Sequence, residues 1–341
     1  MKPKLFIRFA VGLFLCLSIM SCKDKKPGLA PLSGTANEIL VVMNKTQWDG
    51  APGDTVKQWF GQQQLGLPQP EPVFNIINLP QDFFDKSFKA YRSILNVNIS
   101  PDIDSAKIYF KDSPWAATQK YFQIDAPDDA AFFRIFDANK QAMLDVFLKS
   151  EQDRLVDFYK KNPDSKIYNF FKDNYHLYLS FPAEYIINKE SKDFVWISRE
   201  TGKDSKGFVF IQRPYKDIAQ FQYQAIMDTV MSELQRNIPG PLPGSYMTLD
   251  TVTPMISQTY NYDEDHYAVL MRGLWTVTND FMAGPFVLNV VLDQRNNRVL
   301  YMMGYVYAPD DKKRNKMRQV EAILFTADLD YKEPAEGQSG K

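Results

Sequence analysis

The sequence predicts an α+β fold in which mixed and antiparallel sheets pack against helices. Apolar residues make up 45% of the chain and charged residues 24%, a balance typical of a protein with a large buried core. Strand-like and helix-like patterns alternate over residues 38–162. After residue 174, most predicted elements are short apolar strands separated by turns, which favours antiparallel pairing.

Five consecutive regions follow from the composition. We predict a lipoprotein signal peptide with its lipobox at 1–22, a flexible tether at 23–37, an N-terminal α/β half at 38–162, a C-terminal antiparallel α+β half at 163–330 and a disordered tail at 331–341. The tether and the tail are rich in proline, glycine and charge and lack an apolar period, so we expect neither to form a core.

The first region carries the pattern of an export signal. Basic residues precede an apolar run at 9–19 that is too short to span a bilayer as a helix. The run ends in Ile19, Met20, Ser21 and Cys22, which resemble the bacterial lipobox. This resemblance implies cleavage before Cys22 and thioether lipidation of its sulfur. The alternative is an ordinary secretory signal peptide in which Cys22 merely follows the cleavage site.

In the N-terminal half, short apolar runs predict strands and apolar residues at helical spacing predict helices. The predicted strands are 38–43, 73–79, 93–99, 107–110 and 118–124. The predicted helices are 54–64, 82–90 and a long helix, or two in series, over 128–161.

In the C-terminal half, the same criteria predict mainly strands. These strands are 175–181, 194–198, 208–212, 255–260, 267–277, 286–292 and 299–307. Helices are predicted at 217–236 and 310–325, each with one apolar face.

A short internal repeat raises the hypothesis of two related α+β halves. The sequence Ala-Pro-Asp-Asp occurs at 126–129 and at 308–311, each time after an aromatic strand and before a predicted helix. Both copies would place carboxylates in a first helical turn, where the helix dipole favours negative charge. The alternative is two similar helix caps.

Charge and cysteine content exclude several classes of protein. The 40 basic and 41 acidic residues become 37 and 41 without Lys2, Lys4 and Arg8, a formal charge of −4 that gives no indication of nucleic-acid binding. The two cysteines, Cys16 and Cys22, both lie in the predicted signal region. A disulfide framework, a CxxC redox pair and a cysteine metal site are therefore excluded for the mature chain.

Two histidines are the first candidates for chemistry. His176 begins a predicted strand, where a structural role is expected. Asp263, Asp265 and His266, together with Glu264, combine carboxylates with an imidazole of the type that binds hard or borderline cations. Neighbouring residues of an extended chain point in alternate directions, which favours a solvated hairpin turn over a metal site. We expect no cofactor.

Other motifs for catalysis are missing from the sequence. No serine lies in a G-x-S-x-G elbow, and there is no H-E-x-x-H helix. Paired carboxylates for glycoside hydrolysis share no local motif, so a hydrolase stays open as an alternative.

Aromatic and basic residues offer two further surfaces. The five tryptophans could stack on sugar rings, but core packing is the favoured interpretation; they are Trp48, Trp59, Trp115, Trp196 and Trp275. The basic cluster at 312–318 could contact anionic lipid or polymer. Because Met317, Val320 and Leu324 already form a buried stripe, we interpret the basic cluster as a solvated outer face.

Several of these features together resemble a known family. They are the lipobox cysteine, the strand at 38–43, the stretch from Gly273-Leu274-Trp275 to Gly284-Pro285-Phe286, and Tyr307-Ala308-Pro309. They resemble an uncharacterised lipoprotein family of the Bacteroidota envelope, a domain of unknown function that would cover nearly the whole mature chain. The resemblance implies an envelope location but no activity and no catalytic residues.

The sequence therefore favours a membrane-anchored envelope lipoprotein that acts as a non-catalytic scaffold or binding module. Its expected location is the outer membrane, on the periplasmic or the surface face, with Cys22 as the membrane anchor. Expected partners are an envelope protein or polymer, and no nucleic acid. The alternatives are an envelope hydrolase acting on glycan or peptide and a carrier of a small ligand.

Overall fold

The computed structural model describes residues 29–263 and 265–330. The predicted signal peptide, Cys22 with its lipobox, the first part of the tether, Glu264 and the predicted tail lie outside the described residues. The described chain forms two sheets with packed helices, which confirms the α+β prediction. Within the described part, none of the helices has the length and apolar character needed to cross a membrane.

The first domain contains a five-stranded mixed sheet. Its strands are β1 (Glu38–Val42), β2 (Asn75–Leu79), β3 (Ser93–Ile99), β4 (Lys107–Asp112) and β5 (Lys120–Ala126). Its helices are α1 (Lys45–Trp48), α2 (Ala51–Phe60) and α3 (Asp129–Lys161). The strand order is β2-β1-β3-β5-β4, and only β4 runs antiparallel to its neighbour.

The two faces of this sheet are covered differently. Helices α2 and α3 cover one face, where Phe60 packs edge-on against Phe136 and Phe147 with ring centroids 6.1 and 5.9 Å apart. Loop segments, with Tyr91 and Trp115, cover the other face. The segment before β1 also lies on this domain, since Ser33 N donates to Ala90 O. The predicted tether therefore includes a stretch that hydrogen bonds hold in place.

Helix α3 connects the two domains. It has 33 residues and is therefore about 50 Å long. The Asp128 side chain caps it by accepting a hydrogen bond from Ala131 N at 2.7 Å. Its first half packs on the first sheet, whereas Leu155, Val156 and Tyr159 pack in a core of the second domain.

The second domain contains an eight-stranded antiparallel sheet. Its strands are β6 (Ile186–Ser191), β7 (Phe194–Glu200), β8 (Ser205–Pro214), β9 (Met247–Leu249), β10 (Ile256–Asn261), β11 (Tyr267–Val277), β12 (Ala283–Asp293) and β13 (Arg298–Tyr307). The order is β10-β11-β12-β13-β8-β7-β6, and β9 pairs with β11. Helices α4 (Ser165–Tyr175) and α6 (Arg314–Leu324) cover one face, and α5 (Tyr223–Asn237) covers the other.

Several predicted elements are confirmed and others are wrong. The strands predicted at 93–99 and 267–277 match β3 and β11. The helix predicted at 82–90 is wrong: a single 3₁₀ turn lies at Gln81–Phe83, and the Asp85 carboxylate binds Ser87 N in a competing local turn. The strand predicted at 175–181 is also wrong, because Tyr175 ends α4.

The Ala-Pro-Asp-Asp repeat has different settings in the two domains. Asp128 and Asp129 lie at the start of α3, as predicted. The same prediction is wrong for Asp310 and Asp311, since α6 begins at Arg314 and has no acidic residue in its first turn. The two sheets also differ in strand order and direction.

Candidate functional site

A cleft of about 340 Å³ lies between the two domains. Its wall combines a loop of the first domain, the middle of α3, strands β10 and β11, and one side of α6. The lining residues are Gln64, Leu65, Gly66, Leu67, Leu148, Gln152, Gln258, Tyr260, Leu270, Arg272, Phe286, Arg314, Met317, Arg318, Glu321 and Phe325. We call this cavity the interdomain cleft.

One wall is the loop between α2 and β2, residues 61–72, which we call the flap. Gln64 N donates to Glu71 O at 2.7 Å and Val73 N donates to Gln62 O at 2.8 Å, so the flap folds back on itself like a hairpin. Its tip reaches the second domain: a Cβ built on Gly66 would lie 3.0 Å from Cβ of Arg272. Gly66 has φ of +81°, a conformation that glycine adopts readily.

The opposite wall begins at the N-terminus of α6. This helix has no side-chain cap of its own, and the Glu71 carboxylate of the flap takes that role. Glu71 accepts hydrogen bonds from Lys313 N at 2.6 Å and from Arg314 N at 3.2 Å. The first domain therefore caps a helix of the second, which fixes α6 against the flap.

The basic cluster of α6 is largely buried at this boundary. Lys313 is 3% exposed and Arg314 is 4% exposed. The Lys313 ammonium donates to Gln69 Oε1 at 2.6 Å. The interpretation of 312–318 as a solvated outer face is therefore wrong for these residues, because the first domain covers them.

Arg314 and Arg318 donate to neutral oxygen atoms of the first domain. Arg314 Nη1 donates to Pro72 O at 2.6 Å. Arg318 Nη2 donates to Val73 O at 2.9 Å, and Nη1 donates to the Asn37 side chain. Within the described part of the chain, neither guanidinium forms an ion pair with a carboxylate. Their positive charges therefore lack a direct counterion.

Burial and a neighbouring cation affect the pKa of Arg318. Burial, and then the nearby guanidinium of Arg314, lowers the pKa of Arg318 to about 10. Burial also lowers the pKa of Arg314. A lowered arginine pKa means that the folded protein holds this charge at a cost, on the order of a few kcal/mol at neutral pH.

The third guanidinium of the cleft has a partner. Arg272 of β11 forms an ion pair with Glu321 of α6. Glu321 is the one carboxylate among the described lining residues. The wall therefore carries three guanidiniums and one carboxylate.

The rest of the wall is mainly apolar. Leu270 and Met317 are buried at its base, and Leu65 of the flap is 63% exposed at its edge. Phe325 stacks on Tyr262 with a centroid distance of 5.8 Å. The hydroxyl of Tyr260 donates to Asn289 Oδ1 at 2.7 Å, so this donor is already used.

The candidate cation residues lie outside this cleft. His266 Nδ1 lies 2.7 Å from Asp263 Oδ1, and the same oxygen accepts from the backbone N of Asp265 and His266. His266 is 6% exposed, and Asp265 is exposed. Across residues 29–263 and 265–330, no three His, Cys, Asp or Glu side chains are grouped as metal ligands.

The remaining candidates have structural positions. His176 follows α4 as its C-cap with φ of +48°, so the predicted strand position is wrong. The core-packing interpretation of the tryptophans is confirmed, since each packs in or against an apolar cluster. Trp275 is 2% exposed, and Trp196 Nε1 donates to the Tyr305 hydroxyl at 2.8 Å.

Comparison with known proteins finds two families of unknown function. Residues 164–326 match the model of a family described as Domain of unknown function (DUF4837). Residues 33–160 match a second model, described as Domain of unknown function (DUF8532). The two matches meet near the end of α3. Both matches fit the expectation of an uncharacterised domain family, but two models divide the chain where one family was expected to cover nearly all of it. No curated protein matches the chain in sequence.

Proposed function

We propose that this protein is an envelope lipoprotein, anchored to the outer membrane through Cys22, whose folded part binds a small ligand in the interdomain cleft. The proposal combines the binding-module prediction with the carrier alternative. The lipobox at Ile19 to Cys22 supports the anchor, and the cleft supports the ligand.

The construction of the cleft is the observation that carries the binding proposal. Ligand sites have volumes of roughly 300–1,000 Å³, lie preferentially between domains, and combine apolar walls with a few polar groups. The interdomain cleft has all three properties. Its wall is also held together by hydrogen bonds between the domains, so much of its shape is present before a ligand binds.

The same geometry favours binding over hydrolysis in this cleft. Glycoside hydrolysis by the usual route uses two carboxyl groups on either side of the scissile bond. Among the described residues of the wall only Glu321 is acidic, and Arg272 is paired with it.

A pair of variants on β10 tests the binding site. Gln258 and Thr259 are both exposed, but alternation along the strand places only Gln258 in the cleft wall. Gln258→Trp should therefore fill the cleft, and Thr259→Trp should leave it open. The probe is 1-anilinonaphthalene-8-sulfonate, titrated by fluorescence into the full chain carrying Cys22→Ala.

We expect one saturable site in the parent and in Thr259→Trp, weakened about tenfold or more in Gln258→Trp. Equal binding by all three proteins would overturn the proposal.

The anchor has a separate test. Three acyl chains on a lipidated cysteine would hold the protein firmly, because each buried CH₂ contributes about 0.8 kcal/mol. Cys22→Ala should therefore move the protein from the membrane fraction to the soluble fraction of its cells. Unchanged fractionation would refute lipidation at Cys22.

A further inference from the structure

We infer that the ligand of the interdomain cleft is an amphipathic anion, whose charged group binds Arg314 and Arg318 and whose apolar part lies against the flap and β11. This inference rests on the proposed function and adds the chemical class of the ligand to it. The class is a single chain or ring that carries a carboxylate or a phosphate.

The charge of the wall supports an anion. Arg272, Arg314 and Arg318 face one carboxylate, Glu321, which Arg272 already engages. The other two guanidiniums bind only neutral oxygens of the described chain. A buried charge that lacks a counterion is costly unless an anion compensates it, and a ligand anion would do so.

Unused donors support the same assignment. Arg314 donates through Nε and Nη1, and its Nη2 has no acceptor among the described residues. Arg318 donates through Nη1 and Nη2, and its Nε likewise has none there. Guanidinium groups match carboxylate and phosphate oxygens in geometry as well as charge.

The apolar lining accounts for the rest of the ligand. Leu65, Leu270, Met317 and Phe325 surround the space that the arginines leave. A free inorganic anion would leave these side chains in contact with water, whereas a short alkyl chain or ring would cover them. The modest volume of about 340 Å³ favours one chain over the two chains of an intact membrane lipid.

Three decyl compounds test the class of the ligand. Sodium decanoate, 1-decanol and decyltrimethylammonium share one chain and differ in charge. In competition with 1-anilinonaphthalene-8-sulfonate, we expect decanoate to bind about tenfold or more tightly than decanol and the cation to bind weakest. Equal affinity of decanoate and decanol would overturn the anion inference. If both are still blocked by Gln258→Trp, the cleft would remain a binding site.

Variants then assign the anion to the arginines. Arg318→Met should reduce the preference for decanoate over decanol to about threefold or less. Lys312→Met removes the same charge six residues earlier, at an exposed residue that precedes α6 and lies outside the cleft wall, and should leave the preference unchanged. An unchanged preference in Arg318→Met, or equal losses in both variants, would overturn the assignment.

A flap variant keeps the test valid if Arg318→Met fails to fold. Leu65 is exposed, so Leu65→Asp should fold while placing a carboxylate at the cleft edge. Leu65→Asp should weaken the binding of decanoate more than that of decanol, and Leu65→Ser should weaken the binding of both equally. Leu242→Ser, at a comparably exposed leucine in another loop, is the control. Equal weakening of both ligands by Leu65→Asp would contradict the inference.

The source of the anion is tested separately. Decanoate represents a free acid, and a decanoyl lysophosphatidylglycerol represents a lipid headgroup with a single chain. Saturable binding of either one that Gln258→Trp abolishes supports the anion class and identifies its source. Binding of neither would overturn the inference.

Discussion

Arginine side chains are buried in two regions of this protein, and the two regions differ in whether a carboxylate contacts the guanidinium groups. On α3, Glu151 is 3% exposed and lies between two guanidiniums, Arg92 Nε at 2.9 Å and Arg154 Nη2 at 2.5 Å. On α6, Arg314 and Arg318 have only neutral oxygen partners among the described residues. The α3 cluster has a carboxylate in direct contact with both guanidiniums, and the α6 pair has none.

The difference indicates different roles. On α3, Glu151 offsets part of the positive charge of Arg92 and Arg154, although burial still lowers the pKa of Arg154. The α6 arginines hold two domains together through carbonyl and amide oxygens, and they retain positive charge at the cleft. Removing charge should therefore damage the first region and spare the stability of the second.

The largest effect is expected at Glu151. Glu151→Gln leaves Arg92 and Arg154 without their carboxylate and should cost about 3–5 kcal/mol of unfolding free energy. Arg318→Met removes a charge that is held at a cost but also its hydrogen bonds to the first domain, so the two effects should offset and stability should change by about 1 kcal/mol or less. Urea unfolding of the two variants beside the parent measures both values. A larger loss in Arg318→Met than in Glu151→Gln would reverse the comparison.

Glu71 should give the next largest effect. Glu71→Gln removes the charge that caps α6 and should cost about 1–3 kcal/mol. Hydrogen exchange should then quicken in the first turn of α6 before it does in α3. Glu184→Gln is the control, since its pair with Arg199 lies at the surface and should contribute about 0.5 kcal/mol or less. Unaltered exchange in α6 would exclude Glu71 as its cap.

Alanine variants of two glycines with similar backbone angles test the contact between the flap and Arg272. Gly66 and Gly244 have φ of +81° and +77°, so alanine at either position should cost about 1–2 kcal/mol. Only Gly66 faces a close neighbour, Arg272, whereas nothing lies within 4 Å of a Cβ on Gly244. Gly66→Ala should therefore also weaken decanoate binding, measured by the same competition assay. A comparable weakening in Gly244→Ala would mean that the flap contact has no part in binding.

Local patterns explain which elements the sequence predicts. Strand β11 is a run of apolar and β-branched residues interrupted only by Arg272 and Gly273, and its bounds follow from that run. Helix α4 was missed although Ile167, Phe171 and Tyr175 have helical spacing and Asp164 caps it. Its signal was present in the sequence between Pro163 and the wrongly predicted strand.

The cleft has no comparable local signal. Met317 and Val320 mark the buried stripe of α6, and the cations between them look like a solvated face. Arg314 is covered by the first domain and donates to Pro72 O, which lies 242 positions away in the chain. A contact of this separation depends on how two domains meet, and neither segment shows it by itself.

The smallest effect is expected in a pH titration, which tests whether the buried charge of Arg318 destabilises the folded state. Because burial lowers the pKa of Arg318 to about 10, well below its usual value, the folded state is penalised at neutral pH and the penalty fades as the pH rises above 10. The unfolding free energy of the parent relative to Arg318→Met should therefore rise by about 1 kcal/mol between pH 8 and pH 10.5. Tyrosines and lysines titrate in both proteins and largely cancel in this difference. A constant difference would mean that Arg318 keeps its proton in the fold as easily as in water, and that its lack of a carboxylate partner costs the folded state nothing.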